Sequence, residues 1–380
     1  MIVLHQHRQQ SRNQIITQLS VMSKFYTLNV KEVRKETIDT VSVAFDVPKN
    51  LVEAYKFIQG QYLTLRTDIN GEDVRRSYSI CSSPLDDELR VAIKQVENGR
   101  FSTYANTVLK AGDTLQVMTP MGRFYTELSP NNEKQYVAFA AGSGITPILS
   151  IMKTVLEVEP NSQFILFYGN KKTETIIFKD EIDALKNIYL SRLSIYHVLS
   201  REALGSPLFE GRIDQARCEK FCNLLLDVNS VDEFFLCGPE EMIFAAKDTL
   251  KATDVADQKI HFELFTSSST PKKPKKKTEK KAVLSDDSSM ITVILDGHSY
   301  QFPLEKDGED ILDAALDNGA DLPFSCKGGV CSTCRAKVES GTVKMELNYS
   351  LEDWEVEQGF VLTCQAHPTS ERVTINFDEQ

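Results

Sequence analysis

Residues 266–289, TSSSTPKKPKKKTEKKAVLSDDSS, set the strongest limit on what this chain can fold into. Their centre, KKPKKKTEKK (272–281), places seven lysines against one glutamate, a net charge of +6. With two prolines and few apolar side chains, the stretch cannot bury enough surface to offset the entropy of ordering it. A tether is expected, kept extended by self-repulsion, so the chain on either side must fold as separate bodies. The 380 residues suffice for two or three cores.

The net charge of −11 is unevenly spread: residues 288–380 alone carry 17 acidic against 6 basic side chains. An acidic terminal domain argues against nucleic acid as a partner and for a protein with a basic docking face. The lysine run could instead meet a membrane surface or nucleic acid, but in an acidic chain the tether is the simpler reading. No apolar run reaches the 18 residues that a spanning helix needs, so no membrane partner is expected. The opening MIVLHQHRQQSRNQ is too polar for an export signal. Residues 1–24 lack Asp and Glu, which faintly resembles a transit peptide, but with Met22 just before FYTLNV a disordered extension or an upstream start codon is expected. Eight cysteines without an export signal point to a reducing compartment, the cytoplasm, and clustered thiols there point to metal or redox chemistry.

Periodicity divides the rest. Within residues 25–130, short alternating runs such as FYTLNV, TVSVAFDV, QYLTLRT, RVAIKQV and TLQVM predict an antiparallel β-barrel with one helix at FSTYANTVL. Residues 131–265 change to apolar strands alternating with amphipathic helices (YVAFAA, FILFYG, LSIYHVLS, EFFLCG), the pattern of a doubly wound α/β domain. Residues 290–380 begin with a hairpin turning at Asp296-Gly297, continue into the helix DILDAALDNG, and predict a small α+β domain.

That last domain holds CKGGVCSTC (326–334). Cys326, Cys331 and Cys334 follow C-x4-C-x2-C, with Cys364 thirty positions further on, a spacing suited to a [2Fe-2S] cluster. Gly328 and Gly329 let the backbone curl close and aim N–H groups at sulfur. A structural zinc site is the alternative, but it favours two C-x2-C knuckles and only one is present. Cys218 and Cys222, four apart on an expected helix, read as packing residues; Cys81 and Cys237 need separate accounts.

RRSYSICSSP (75–84) packs an arginine, an aromatic ring and a serine at a strand end. GRFSTYANTV (99–108) sets Gly99 and Ser102 at the start of a helix, where free N–H groups favour a phosphate. Together they suggest a flavin nucleotide. GSGITP (142–147) opens a helix after a strand with Pro147 in the third glycine's place, and Cys237, Gly238 and Pro239 repeat the strand-to-helix junction. Ligands bind at that carboxyl edge in open sheets.

In this order and spacing RSYS, GRFS, AGSGITP, YGNK, CGPEEM and HFELF resemble the ferredoxin-NADP reductase superfamily, and the CKGGVCSTC domain resembles plant-type ferredoxins with their β-grasp fold. The resemblance covers residues 25–380 except the tether. It implies that Arg76 pairs with flavin phosphate, Tyr78 stacks on the isoalloxazine, Ser79 bonds near its reactive nitrogen, and Gly99 and Ser102 seat the diphosphate. Gly142, Gly144 and Thr146 would hold the nicotinamide nucleotide's diphosphate, Cys237 and Gly238 would abut the nicotinamide, and Glu263 and Phe265 would pack over the flavin edge. Ser79, Cys237 and Glu263 are the expected catalytic set, and Cys326, Cys331, Cys334 and Cys364 the cluster ligands.

A nicotinamide gives up two electrons together and a [2Fe-2S] cluster accepts one at a time, so a flavin between them is the expected converter. The chain therefore reads as an NAD(P)H-dependent reductase component of a multicomponent oxygenase. The resemblance favours FAD over FMN. Ser200 and Arg201, just beyond the third parallel strand, favour NADPH over NADH, because an arginine there can pair with a 2′-phosphate. Reductases of other aromatic-ring oxygenases and a redox-sensing flavoprotein are the rival readings.

Overall fold

The computed structural model describes residues 24–265 and 287–379, so the expected extension (1–24) and tether (266–289) lie almost wholly outside the described residues. Contacts divide the described residues into two compact units, one spanning 26–265 and the other containing 287–379.

The first unit opens with β1 (Phe25–Thr37), β2 (Thr40–Asp46), β3 (Tyr62–Ile69), β4 (Glu72–Ser79), β5 (Leu89–Lys94) and β6 (Thr114–Met118), in the order β4-β3-β6-β1-β2-β5. Their registered pairs are antiparallel, and a bridge from Ile80 to Val91 joins the two outer strands into a barrel. Alternation along the strands sends Leu28, Val30, Val43, Leu63, Leu65, Val91 and Val117 to a common core. Helix α1 (Arg100–Thr107) adds Phe101 and Ala105 to it.

A parallel sheet follows in the same unit: β7 (Gln135–Ala141), β8 (Gln163–Asn170), β9 (Leu193–Leu199), β10 (Glu233–Gly238) and β11 (Ile260–Leu264), ordered β11-β10-β7-β8-β9. The crossovers are α2 (Ile145–Val158), α3 (Lys179–Ile188), α4 (Gln215–Leu224) and α5 (Glu240–Ala252). Tyr136, Ala138 and Ala140 of β7 pack with α2, while Phe139 turns to the opposite face and stacks with Phe167, itself stacked on Phe221 of α4. Cys218 and Cys222 are buried on α4, as packing residues should be. From β7 the chain moves outward to β8 and β9, then returns to β10 on the other side. The carboxyl ends of β7 and β10 thus form the switch point where such sheets leave a crevice.

The second unit contains β12 (Ser288–Leu295), β13 (His298–Glu305), α6 (Ile311–Asp317), β14 (Arg335–Ser340), β15 (Val343–Met345), α7 (Asp353–Glu357), β16 (Phe360–Leu362), β17 (Ala366–Pro368) and β18 (Arg372–Asn376). Five strands run β13-β12-β18-β14-β16, with β12 parallel to β18, and β15 pairs with β17. The expected hairpin forms: Asp296 and Gly297 both have positive φ (52° and 73°), and the Asp378 carboxylate accepts both their N–H groups. Asp310 caps α6 by accepting from the Asp313 N–H. One boundary moves: Ser288 and Ser289, expected in the tether, belong to β12, where they pair with Glu305 and Leu304. Ser289 is fully buried and donates to the Ser370 carbonyl, which draws those two residues into the sheet.

Candidate functional site

Three segments distant in sequence meet where the barrel abuts the switch point. Ser79 ends β4, and its hydroxyl donates to Glu263 Oε2 of β11 at 3.0 Å. Glu263 stands in register with Cys237, the penultimate residue of β10. Burial pushes the Glu263 carboxyl up to about 7, opposed by the Ser79 hydrogen bond. Burial, and then the neighbouring Glu263 charge, lifts Cys237 well above the ordinary thiol range, so it is a neutral thiol. The site is a proton-bearing carboxyl set between a hydroxyl and a thiol.

The adjoining strand end carries Tyr78, a half-buried ring 5.6 Å from Phe101 of α1. Its phenol is raised by burial, with the Arg76 charge opposing. Arg76 is exposed and donates to the Arg75 carbonyl at 2.6 Å, whereas buried Arg75 is taken by Asp73 at 3.0 Å. Of the two adjacent arginines, Arg76 is therefore the one available to a ligand phosphate. Gly99 caps α1, where a Cβ would stand 2.4 Å from Val96 Cγ2 and 2.3 Å from Ser102 Oγ. Ser102 is buried and its hydroxyl accepts from the Val96 N–H at 3.2 Å, so it shapes this turn rather than projecting from it. Phe265, half-buried, packs against the core shared by α2 and β7.

On the sheet's edge, Gly142 (φ 55°) and Gly144 form a short 3-10 turn into α2, and Thr146 closes it by donating to the Ser143 carbonyl at 3.0 Å. A Cβ on Gly144 would lie 2.0 Å from the Cys237 carbonyl oxygen. The turn after β7 and the end of β10 are thus in backbone contact that only glycine permits. At Gly238 the constraint is milder, a Cβ there meeting the flexible end of Met242 at 2.6 Å and Ala141 at 3.2 Å. Ser200 and Arg201 lie at the same edge beyond β9, two strands from β7, held by N–H bonds to the carbonyls of Asn170 and Lys171. Arg201 is exposed, and the carboxylate of neighbouring Glu202 is occupied by Thr173.

Sequence reasoning missed the contacts that seat the barrel on the sheet. Ser150 donates to the Ser82 carbonyl (2.7 Å), Thr154 meets Ser83 (2.9 Å), and Lys153 bridges Asp86 and Glu181 (2.5 and 2.9 Å). The available signal is the polar stripe at 146, 150, 153, 154 and 157 on a helix whose other residues are apolar.

In the second unit the four cysteines come as two pairs, Cys326 with Cys331 and Cys334 with Cys364, each with its thiols in hydrogen-bond contact. Among the described residues no three His, Cys, Asp or Glu side chains gather as a single-ion site. Two thiolates per iron is what a dinuclear cluster takes, and the surrounding donors fit it. The Gly328 N–H reaches Cys326 Sγ (3.3 Å), the Cys326 N–H and Thr333 hydroxyl reach Cys331 Sγ (3.5 and 3.2 Å), and Gln365 Nε2 reaches Cys364 Sγ (3.7 Å). Such donors stabilise negative charge on sulfur. The Cys331 thiol, helped by backbone N–H groups and opposed by burial, draws Cys326 below the ordinary thiol range. Positive φ at Lys327, Gly329 and Ser332 coils the loop. Thr333 and Gln365 were not legible as cluster neighbours.

These features define a class: an oxidoreductase with FAD-binding, NAD-binding and [2Fe-2S] domains. Family models match accordingly, an oxidoreductase FAD-binding domain at 27–125, an oxidoreductase NAD-binding domain at 139–248 and a 2Fe-2S iron-sulfur cluster binding domain at 293–369. The chain is 44% identical over 357 residues (94% of this chain, 99% of the relative) to a component of the 1,2-phenylacetyl-CoA epoxidase of Escherichia coli. It is 34% identical over 358 residues (93% and 97%) to the ferredoxin reductase component of 3-ketosteroid-9-alpha-monooxygenase from Mycolicibacterium smegmatis. The chain belongs to this family of oxygenase reductase components. Phthalate dioxygenase reductase shares the fold, with a TM-score of 0.55 at 22% identity over 93% of this chain and 98% of that one. No described helix is long and apolar enough to cross a membrane.

Proposed function

We propose that this chain is the cytoplasmic reductase of a phenylacetyl-CoA epoxidase-type oxygenase, drawing on NADPH and delivering electrons to a di-iron oxygenase component. The observation that carries the assignment is 44% identity running through nearly the whole length of both chains. When bound, the flavin accepts the two electrons of a nicotinamide together and releases them singly to a [2Fe-2S] cluster.

The protein's own residues bind and orient. Arg76 and the N-terminus of α1 at Gly99 attract the flavin's phosphates, with Ser102 shaping that turn; Tyr78 and Phe265 supply aromatic surface. Gly142, Gly144, Thr146 and Gly238 keep the switch-point crevice narrow for the nicotinamide nucleotide. Ser79, Glu263 and Cys237 line the place where the two ligands would meet; Glu263 can hold a proton on its carboxyl, facing Ser79, up to about pH 7. Ser200 and Arg201 give the preference for a 2′-phosphate. Cys326, Cys331, Cys334 and Cys364 hold the cluster. The first 24 residues serve as an extension, and the lysine-rich segment joins the reductase unit to the cluster domain.

The test is an anaerobic titration with NADPH and, separately, NADH, following flavin bleaching by absorbance and the reduced cluster by electron paramagnetic resonance. The oxygenase of phenylacetyl-CoA breakdown is added afterwards. NADPH should bleach the flavin, develop the cluster signal and support turnover. A bleached flavin beside an iron-loaded but silent cluster would overturn the electron path; failure to drive that oxygenase would overturn the pathway assignment.

A further inference from the structure

We propose that Gln365 is a positioning residue for electron acceptance: its side-chain amide donates to Cys364 Sγ and, by gripping the Lys327 carbonyl, aims the Gly328 N–H at Cys326 Sγ. One amide thus serves a thiol from each cysteine pair and raises the potential at which the cluster is reduced. The inference rests on the reading above that Cys326 and Cys364 are cluster ligands.

Gln365 is 0% exposed, an uncommon place for a glutamine. Its Nε2 lies 2.8 Å from the Cys364 carbonyl, 3.1 Å from the Lys327 carbonyl and 3.7 Å from Cys364 Sγ. Its Oε1, equally enclosed, has no hydrogen-bond partner among the described residues. An unpaired buried acceptor costs stability, yet the opposite amide orientation would set that oxygen against two carbonyl oxygens and a sulfur. What the nitrogen meets therefore decides the orientation, and it meets the cysteine loop. The residue is held from its other side as well. The Glu346 N–H donates to the Gln365 carbonyl at 2.9 Å, and the Gln365 Cγ passes bare Gly329, where a Cβ would approach it to 3.3 Å.

The Lys327 carbonyl and the Gly328 N–H are the two ends of one peptide plane. Gln365 holds the first end, and the second points at Cys326 Sγ, 3.3 Å away. The Lys327 side chain is anchored separately, its Nζ 2.6 Å from Asp313 of α6 and 4.6 Å from the centre of the Phe324 ring. With φ at 51°, Lys327 stands in the left-handed region, which a residue bearing a Cβ enters at a cost. What is left to turn is the peptide plane, and glycine on its far side resists little. Turned over, that plane would show Cys326 a carbonyl oxygen in place of a donor. Gln365, 38 positions away in sequence, is placed to keep it the right way round.

An electron arriving from the flavin adds one negative charge to the cluster. Donors to cysteine sulfur favour the more negative state, so each raises the potential. Loss of the Gln365 amide would remove one donor directly and release another.

The experiment uses full-length protein loaded with flavin and cluster: wild type, Cys364→Ser, and Gln365→Met, which keeps the length of the side chain without its donor. The cluster potential is measured by anaerobic dithionite titration followed by electron paramagnetic resonance, alongside iron content and the rate of flavin bleaching by NADPH. Gln365→Met should keep its iron and its bleaching rate and shift the cluster equilibrium about tenfold against reduction, the scale of one charge-assisted hydrogen bond and about 59 mV for one electron. An unchanged or higher potential overturns the proposal. A second measurement needs no substitution: pulsed electron paramagnetic resonance on reduced wild type carrying ¹⁵N only at glutamine side-chain amides should show a ¹⁵N coupling. Its absence overturns donation to Cys364, and this result decides alone if Gln365→Met binds no iron. With ¹⁵N-glycine instead, the coupling from the loop should weaken in Gln365→Met; an unchanged coupling overturns the hold on the Lys327–Gly328 peptide. A cluster signal retained in Cys364→Ser overturns the ligand assignment and this proposal with it, whereas a signal lost there beside an unchanged potential in Gln365→Met overturns this proposal alone.

Discussion

Glu263 should make this protein less stable as pH rises, and replacing it by glutamine should remove the effect. Its carboxyl titrates at about 7 in the folded chain because burial disfavours the charge, against an ordinary value of 4.5. Below the ordinary value both folded and unfolded chains are protonated, and the residue contributes nothing. As pH climbs from there, the unfolded chain releases this proton while the folded chain keeps it, so stability falls until the folded value is passed and is then fully lost. The whole gap is worth at most about 3 kcal/mol; partial exposure of the residue brings the expected loss to about 1–2 kcal/mol. Glu263→Gln keeps the shape and an oxygen to accept the Ser79 hydroxyl. The variant should melt about 3–6 °C above wild type at pH 8, with a much smaller gap at pH 5, both measured by circular dichroism on flavin-loaded protein. An equal gap at both pH values, or a less stable variant at pH 8, would refute the assignment of a buried, proton-holding carboxyl.

The packing of the switch point makes a second prediction. Gly144→Ala drives a Cβ to 2.0 Å from the Cys237 carbonyl oxygen, so about 1–3 kcal/mol of stability and much of the flavin-bleaching rate should be lost together; a wild-type rate in stopped-flow bleaching counts against a shared crevice. Arg201→Ala should raise KM for NADPH roughly tenfold, the scale of one charge-assisted hydrogen bond, and leave the NADH value within about twofold; equal changes for both would assign Arg201 no part in nucleotide choice. Cys364→Ser should abolish the reduced-cluster signal and lower iron content while the flavin absorbance stays. Retention of the signal would show that another ligand completes the cluster.

Local pattern carried much of this protein. The spacing of Cys326, Cys331 and Cys334 needs only a short loop to bring three thiols together, and alternation of apolar residues with turns announced barrel strands before any partner strand was known. The change to strand-and-helix alternation likewise announced the parallel sheet, and glycines with positive φ, such as Gly142, Gly329 and Gly297, follow from backbone sterics that act residue by residue. What sequence could not supply were relations between distant positions. That Ser79 lies against Glu263, 184 residues away, depends on how the barrel seats on the sheet, where Ser150, Lys153 and Thr154 make contacts whose partners the polar stripe on α2 does not name. That Glu263 holds its proton to about pH 7 depends on its burial in the folded chain. Gln365 could be read as a residue but not as a neighbour of the cysteine loop, because its contact with Lys327 spans 38 positions. Composition and periodicity choose the elements; the few polar contacts between them choose which elements face each other, and the chemistry sits at those faces.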